Sequence, residues 1–183
     1  MRRCQEDCLR KITYGAACSL DGYIARRSGE VDWLLWSDDV TRLSAGYLAG
    51  VDTILMGRKT YEAGRAQGAR AEPRFATYVF SRTLETAPEP NVTLVREDAA
   101  AFVATLKTQP GRDICLMGGS ELAHALLTAD LVDEVGVNIH PVILGEGIPL
   151  FLPMPREIKL ELVRDERIAR DCLYAVYRVR REP

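Results

Sequence analysis

The stretch ILMGRKTYEAG, Ile54 to Gly64, runs three apolar residues into a glycine and follows it with two cations and a hydroxyl. Its head extends back to Val51, and VDTILMG is continuously apolar in its middle, as a strand buried on both faces requires. Arg58, Lys59 and Thr60 therefore stand where a strand has just ended. Either they decorate a solvated turn, or something anionic is seated there.

The chain repeats this arrangement. ATYVFS (Ala76 to Ser81) is a strand candidate followed by Arg82 and Thr83, and DICLM (Asp113 to Met117) is one followed by Gly118-Gly119-Ser120. Each strand end delivers cations, hydroxyls, or the bare amides of a Gly-Gly turn that opens a helix. A helix start carries unsatisfied N–H groups and partial positive charge, and glycine lets a ligand approach the backbone closely. Three such ends on one rim describe a seat for several phosphates. A dinucleotide with an extra 2′-phosphate suits Arg58 and Arg82, because guanidinium forks match phosphate geometry. Neither GxGxxG nor GxxxxGK[ST] occurs, so the usual Rossmann and P-loop readings lose support.

Outward from these ends, strand and helix patterns alternate. ITYGAA (Ile12 to Ala17) reads as a strand, with a turn at Asp21-Gly22. Ser37, Asp38 and Asp39 can cap a helix reaching about Ala49. NVTLV (Asn91 to Val95) is a strand, and Asp98 to Lys107 a helix stopped by Pro110-Gly111. GGSELAHALLTA gives a turn and helix, and VDEVGVNIHPVI a longer strand. The tail from Ile158 reads as two strands around Asp165-Glu166. Alternation of this kind implies an α/β fold with a mainly parallel sheet covered on both faces, closed by an antiparallel hairpin. Ligands of such sheets bind beyond the carboxyl ends of the strands.

The chain has 183 residues, 47% hydrophobic and 27% charged, with a formal net charge of -2. It is long enough for one well-cored domain, expected over residues 10–181, and its balance argues against a nucleic-acid-coating surface. No apolar run approaches the ~20 residues of a bilayer span, and the charged start MRRCQEDCLRK is no secretory signal. A cytoplasmic home is the default expectation. Residues 1–9 form a polar tail with the composition of a disordered end. Of five cysteines, Cys18, Cys115 and Cys172 sit among apolar residues and read as core. Cys4 and Cys8 lack a second Cys or His pair nearby, so no metal is assigned.

Taken in order, SLDGYIA (Ser19 to Ala25), ILMGRKTYEAG, YVFSRTL, LMGGSELAHALL, LVDEV (Leu131 to Val135) and HPVILGEGIPLF (His140 to Phe151) resemble the dihydrofolate reductase-like superfamily. The likeness is to stand-alone members related to the C-terminal reductase domain of the bifunctional riboflavin-biosynthesis deaminase-reductase. It implies a three-layer fold with an eight-stranded mixed sheet flanked by helices, and NADPH lying across the strand ends. It assigns Arg58, Lys59 and Thr60 to the cofactor phosphates, and Ser81 and Arg82 to the border of the 2′-phosphate. Gly118, Gly119, Ser120, Glu121 and Leu122 fall to the pyrophosphate. Asp21 belongs to the loop that closes over the nicotinamide, Ala16 and Ala17 to the floor beneath it, and Ile24 to its far side. The family's homodimers make a second copy the expected partner.

For the chemistry, folate-reducing members place a Trp five positions before an Asp at the first helix, and Trp33 and Asp38 have that spacing. Asp32 replaces the proline that normally precedes the Trp, and Asp39 competes with Asp38 for the role of acid. Asp38 can equally cap the helix, or add charge to a first turn capped by Ser37. Two functions follow. One is an NADPH-dependent reductase of a pterin-like or ribosylaminopyrimidine-like heterocycle, with Ala16, Trp33 and Asp38 at the substrate. The other is an NADP(H)-binding sensor or interaction module that does not turn over. No Cys-His-Glu deaminase signature is present.

Overall fold

A computed structural model describes residues 9–87 and 89–181. Cys4, Cys8 and all of the N-terminal tail but Leu9 lie outside the described residues.

In chain order the elements are β1 (Ile12–Ser19), β2 (Tyr23–Ala25), α1 (Asp38–Leu48), β3 (Val51–Gly57), α2 (Arg58–Ala66), β4 (Ala76–Phe80), β5 (Val92–Val95), α3 (Ala99–Lys107), β6 (Asp113–Met117), α4 (Ser120–Thr128), β7 (Glu134–His140), β8 (Ile148–Pro149), β9 (Leu160–Ile168) and β10 (Cys172–Val179). Eight strands form one sheet in the order β5-β4-β3-β6-β1-β7-β10-β9, and β2 pairs separately with β8. From β5 to β7 every pairing is parallel, and β10 and β9 close the edge antiparallel. The expected mixed, mainly parallel sheet is present.

Strand alternation sorts side chains to two faces. Ile12, Tyr14, Ile114, Leu116, Val135 and Val137 pack with Val103 and Leu106 of α3 and Leu122 and Leu126 of α4, and form the larger core. The other face is thinner. There Val51, Ile54, Phe75 and Cys115 meet Tyr47 and Leu48 of α1, a helix without one fully buried residue. Helix α1 thus stands off the sheet.

Local rules set the helix starts. Ser37 caps α1 by accepting from Val40 N at 3.3 Å, and Asp98 caps α3 by accepting from Ala101 N at 2.9 Å. Asp38 and Asp39 add negative charge to the first turn of α1. At the opposite end of the sheet Arg10 is buried, ion-paired with Asp52, and donates to Thr53 Oγ1 and Arg112 O, both at 2.6 Å. Gly111 is there for space: a Cβ would lie 2.8 Å from the Arg10 guanidinium carbon.

Two expectations need correction, and one helix had not been expected. The closing hairpin does not turn at Asp165-Glu166, which lie inside β9. It turns at Arg170 and Asp171, both near φ +60°, the paired positive dihedrals of a tight hairpin turn. The strand expected through Ile143 stops at His140, because Pro141 has no N–H for the ladder and Val142 N turns back onto His140 O at 2.8 Å. Helix α2 had no signal of its own, since Tyr61 is its one buried residue and the rest of RKTYEAGRA is polar or small.

Candidate active site

The rim at the carboxyl ends of β3, β4 and β6 carries the first half of the site. Strands β3 and β6 are parallel neighbours, so α2 and α4 start side by side. Their N-caps, Gly57 and Gly119, receive no side-chain cap, which leaves the first amides of both helices available to a ligand. Gly118 and Gly119 have φ of +66° and +86°, the left-handed region that favours glycine. Thr60, one turn into α2, packs against both glycines. The two helix starts form one amide-rich shelf of positive polarity.

Charge around the shelf is uneven. Arg58 Nη1 donates to Glu62 Oε2 at 2.7 Å, and Lys59 Nζ lies 3.5 Å from Glu121 Oε1, so each cation already has a carboxylate. Arg82, exposed beyond β4, has no ion pair among the described residues. Ser81 is buried, and its hydroxyl oxygen accepts from Thr83 N at 3.2 Å and Leu84 N at 2.8 Å, which shapes the loop that presents Arg82. Arg96 directly follows β5 and holds that loop by donating to Leu84 O at 3.2 Å. Its position repeats that of Arg58 after β3, a periodicity the sequence reading overlooked.

On α4, the Ser120 hydroxyl is committed to Pro149 O and the Leu122 side chain to the core, so these two offer the shelf only backbone, while Glu121 points to solvent. Asp21 is tied down. Its carboxylate accepts from the Ser19 hydroxyl at 2.6 Å, Gly145 N at 2.7 Å and Leu144 N at 3.1 Å, joining the β1–β2 turn to the loop before β8. Those bonds, the Ser19 hydroxyl foremost, hold its carboxyl below the usual carboxylate range. Ile24 packs against the larger core.

The second half of the site is the gap beneath α1, a cavity of about 300 Å³. Its floor is Thr13, Gly15, Ala16 and Ala17 of β1, Cys115 and Met117 of β6, and Gly136, Asn138 and His140 of β7, with Tyr174 of β10 beside them. Val40, Leu43, Ser44, Tyr47 and Leu48 of α1 form the roof, and Leu34, Leu35 and the exposed Trp36 the mouth. Cavity and shelf adjoin, since Met117 lines the one and Gly118 begins the other. Among the described residues the lining carries no Asp, Glu, Lys or Arg.

Asp38 is exposed on the first turn of α1 and does not line the cavity. Asp39 is engaged elsewhere, accepting from Ala169 N at 3.2 Å and pairing with Arg42 at 2.9 Å. Trp33 is buried behind the lining, edge-on to His140 with ring centroids 5.5 Å apart. The sequence reading missed Asn138, His140 and Tyr47 as lining residues. Alternation along β7 could have found the first two, which share a face with Gly136. Two polar atoms in the wall, Tyr47 Oη and Asn138 Oδ1, are buried without a hydrogen-bond partner. Burial keeps the Tyr47 phenol and the Cys115 thiol protonated, the thiol pushed up to about 11.

A family model described as the RibD C-terminal domain matches residues 10–174. The uncharacterized protein YwjB of Bacillus subtilis (strain 168) is 36% identical over 155 residues, which cover 84% of this chain and 89% of that protein. A Shewanella sp. PV-4 protein, provisionally assigned to riboflavin biosynthesis, has a crystal structure that matches with a TM-score of 0.82 at 25% identity, covering 93% of this chain and 99% of that one. Dihydrofolate reductase from Enterococcus faecalis, solved with NADP(H) and RAB-propyl, matches with a TM-score of 0.66 at 18% identity over 92% of this chain and 96% of that one, a likeness of fold alone.

Proposed function

The chain belongs to the RibD C-terminal domain family, and we propose that it is an NADPH-dependent reductase of a flat, neutral heterocycle of the pterin or ribosylaminopyrimidine kind. One observation carries this reading: the shelf of uncapped amides at Gly57 and Gly119 adjoins, through Met117, an uncharged cavity. The pairing suits a ligand with phosphates at one end and a ring at the other. The dihydrofolate reductase neighbour, solved with NADP(H), supports the choice of cofactor.

In this reading the first amides of α2 and α4, with Thr60 between them, hold the pyrophosphate. Arg82 and Arg96 receive the 2′-phosphate, bordered by Ser81. Ala16 and Ala17 leave room on the floor for a ring, and Asp21 anchors the turn beside it. What NADPH supplies when bound is the hydride. Helix α1 and the Leu34–Trp36 segment shed water from the acceptor. With no carboxylate in the wall, the proton that completes reduction of a C=N bond comes from water at the mouth. Asp38, exposed on the first turn of α1, lies in sequence between the lining residues Trp36 and Val40.

A second copy is the proposed protein partner. It covers the sheet edge of β10 and β9 and the loop beside it, where Phe151, Leu160, Leu162 and Leu173 are exposed.

The test is direct. Saturable NADPH binding should be accompanied by loss of nicotinamide absorbance with at least one member of a pterin and pyrimidine panel. Saturation without oxidation across the panel would make the chain a binding module. Absence of saturation at millimolar NADPH would overturn the cofactor assignment.

A further inference from the structure

His140 and Asn138 neighbour one another on the cavity face of β7, with His140 Nε2 3.1 Å from the amide atom assigned as Asn138 Nδ2. The other ring nitrogen settles which hydrogens lie where. Leu35 N points at His140 Nδ1 from 3.1 Å, and a backbone N–H can only donate. The Cys172 sulfur lies 3.6 Å from the same nitrogen, and burial, its largest influence, keeps that thiol protonated. Nδ1 is therefore an acceptor, and the hydrogen of the neutral ring sits on Nε2. A doubly protonated ring would oppose the Leu35 N–H, and a ring without hydrogen on Nε2 would be an anion.

Nε2–H needs an acceptor, and the Asn138 amide faces it. Two donors cannot bond, so the amide is turned end for end: Oδ1 takes the Nε2–H, and Nδ2 moves to the end where Oδ1 stood without a partner. That end is buried in the cavity wall, where no donor of the protein meets Oδ1. Two N–H donors so placed are costly unless a ligand acceptor meets them.

We propose that Asn138, held by His140, reads the substrate by donating to a ring carbonyl. The cavity then selects a neutral lactam-bearing heterocycle, and a ring of the same shape lacking the carbonyl is refused. His140 acts here as a positioning residue, fixing which end of the amide looks into the cavity. The inference rests on the cavity being the substrate site of the proposed reductase.

Binding separates this claim from the reductase reading. The probes are lumazine, which carries ring carbonyls, and pteridine, which lacks them, titrated into the full chain with calorimetry or the fluorescence of Trp33 and Trp36 as readout. Lumazine is expected to bind at least tenfold tighter than pteridine. Asn138→Asp keeps an acceptor for Nε2–H but offers the ring no donor, and should erase the preference. Asn138→Leu should do the same and covers the case in which the aspartate variant fails to fold. Nitrogen-15 NMR of the His140 ring should show hydrogen on Nε2. Equal affinity for the two probes, no binding of lumazine, a preference surviving both substitutions, or hydrogen on Nδ1 overturns the proposal. NADPH titrated in parallel reports on the reductase reading alone.

Discussion

Thr60 stands against Gly119: a Cβ on that glycine would come within 3.4 Å of the threonine hydroxyl and 3.9 Å of Gly57 N. The two helix starts therefore come within contact distance at this glycine. Gly119→Val is expected to lower NADPH affinity at least tenfold by filling the shelf. Since φ there is +86°, the same change costs stability, about 1–3 kcal/mol for a strained residue. Calorimetric titration and urea unfolding measure the two effects separately. Unchanged affinity in a destabilised variant would place the pyrophosphate elsewhere.

Arg82 should discriminate NADPH from NADH more than Arg58 does. Arg58 already spends a guanidinium nitrogen on Glu62, whereas Arg82 faces solvent without an ion pair among the described residues. Losing a charge-assisted bond to a phosphate costs roughly ten- to a hundredfold in affinity. Arg82→Ala is expected to weaken NADPH by that factor and NADH little, with Arg58→Ala milder on the ratio. Dissociation constants for both cofactors check it. Equal losses for NADPH and NADH in Arg82→Ala would remove the residue from the 2′-phosphate.

The legibility of this chain divides along a physical line. Continuous apolar runs such as Val51–Gly57 and Asp113–Met117 announce buried parallel strands, and Gly118-Gly119 announces the helix start beyond the second; these stand as read, whereas α2 beyond the first does not. Arg58 and Lys59 were legible as cations on that rim. Their carboxylate partners were not: Arg58–Glu62 is an i,i+4 pair of the helix the sequence did not announce, and Lys59–Glu121 spans two elements that only folding brings together. The cavity was the least legible part. Its roof is a helix that buries nothing fully, and its floor joins alternate residues of β1, β6 and β7, which are far apart in sequence. The Trp33–Asp38 spacing pointed at a carboxylate in the substrate site, but the first turn of α1 carries Asp38 outward and leaves Trp33 behind His140.

Tyr47 gives a stability test of the cavity. Its hydroxyl is buried under α1 near Thr13 and Cys115 but completes no hydrogen bond of normal geometry. A buried polar group without a partner costs about 1–3 kcal/mol. Tyr47→Phe should therefore leave the ligand-free protein unchanged or up to about 1 kcal/mol more stable, while weakening any ligand that bonds the hydroxyl. Thermal unfolding with and without lumazine reads both terms. A clear loss of stability in the ligand-free variant would mean that the hydroxyl has a partner in the folded protein.

His140 gives the folded state a pH dependence whose sign is fixed by burial. Desolvation lowers its pKa from the ordinary value near 6.5. The groups that meet the ring are Leu35 N–H, the Asn138 amide, the Cys172 thiol and the edge of Trp33, and none of them supplies a negative charge to hold a second proton. Above about pH 6.5 both folded and unfolded chains keep the histidine neutral, and it contributes no slope. As pH falls below that value the unfolded chain takes up a proton that the folded chain refuses, so stability drops, by at most about 1.4 kcal/mol per pH unit, until the folded pKa is reached. His140→Gln removes the titration, and its urea-unfolding free energy should be flatter than that of the native chain between pH 6.5 and 5. Parallel profiles for the two proteins would show that His140 accepts its proton in the fold, and with it would go the assignment of Nδ1 as a hydrogen-bond acceptor.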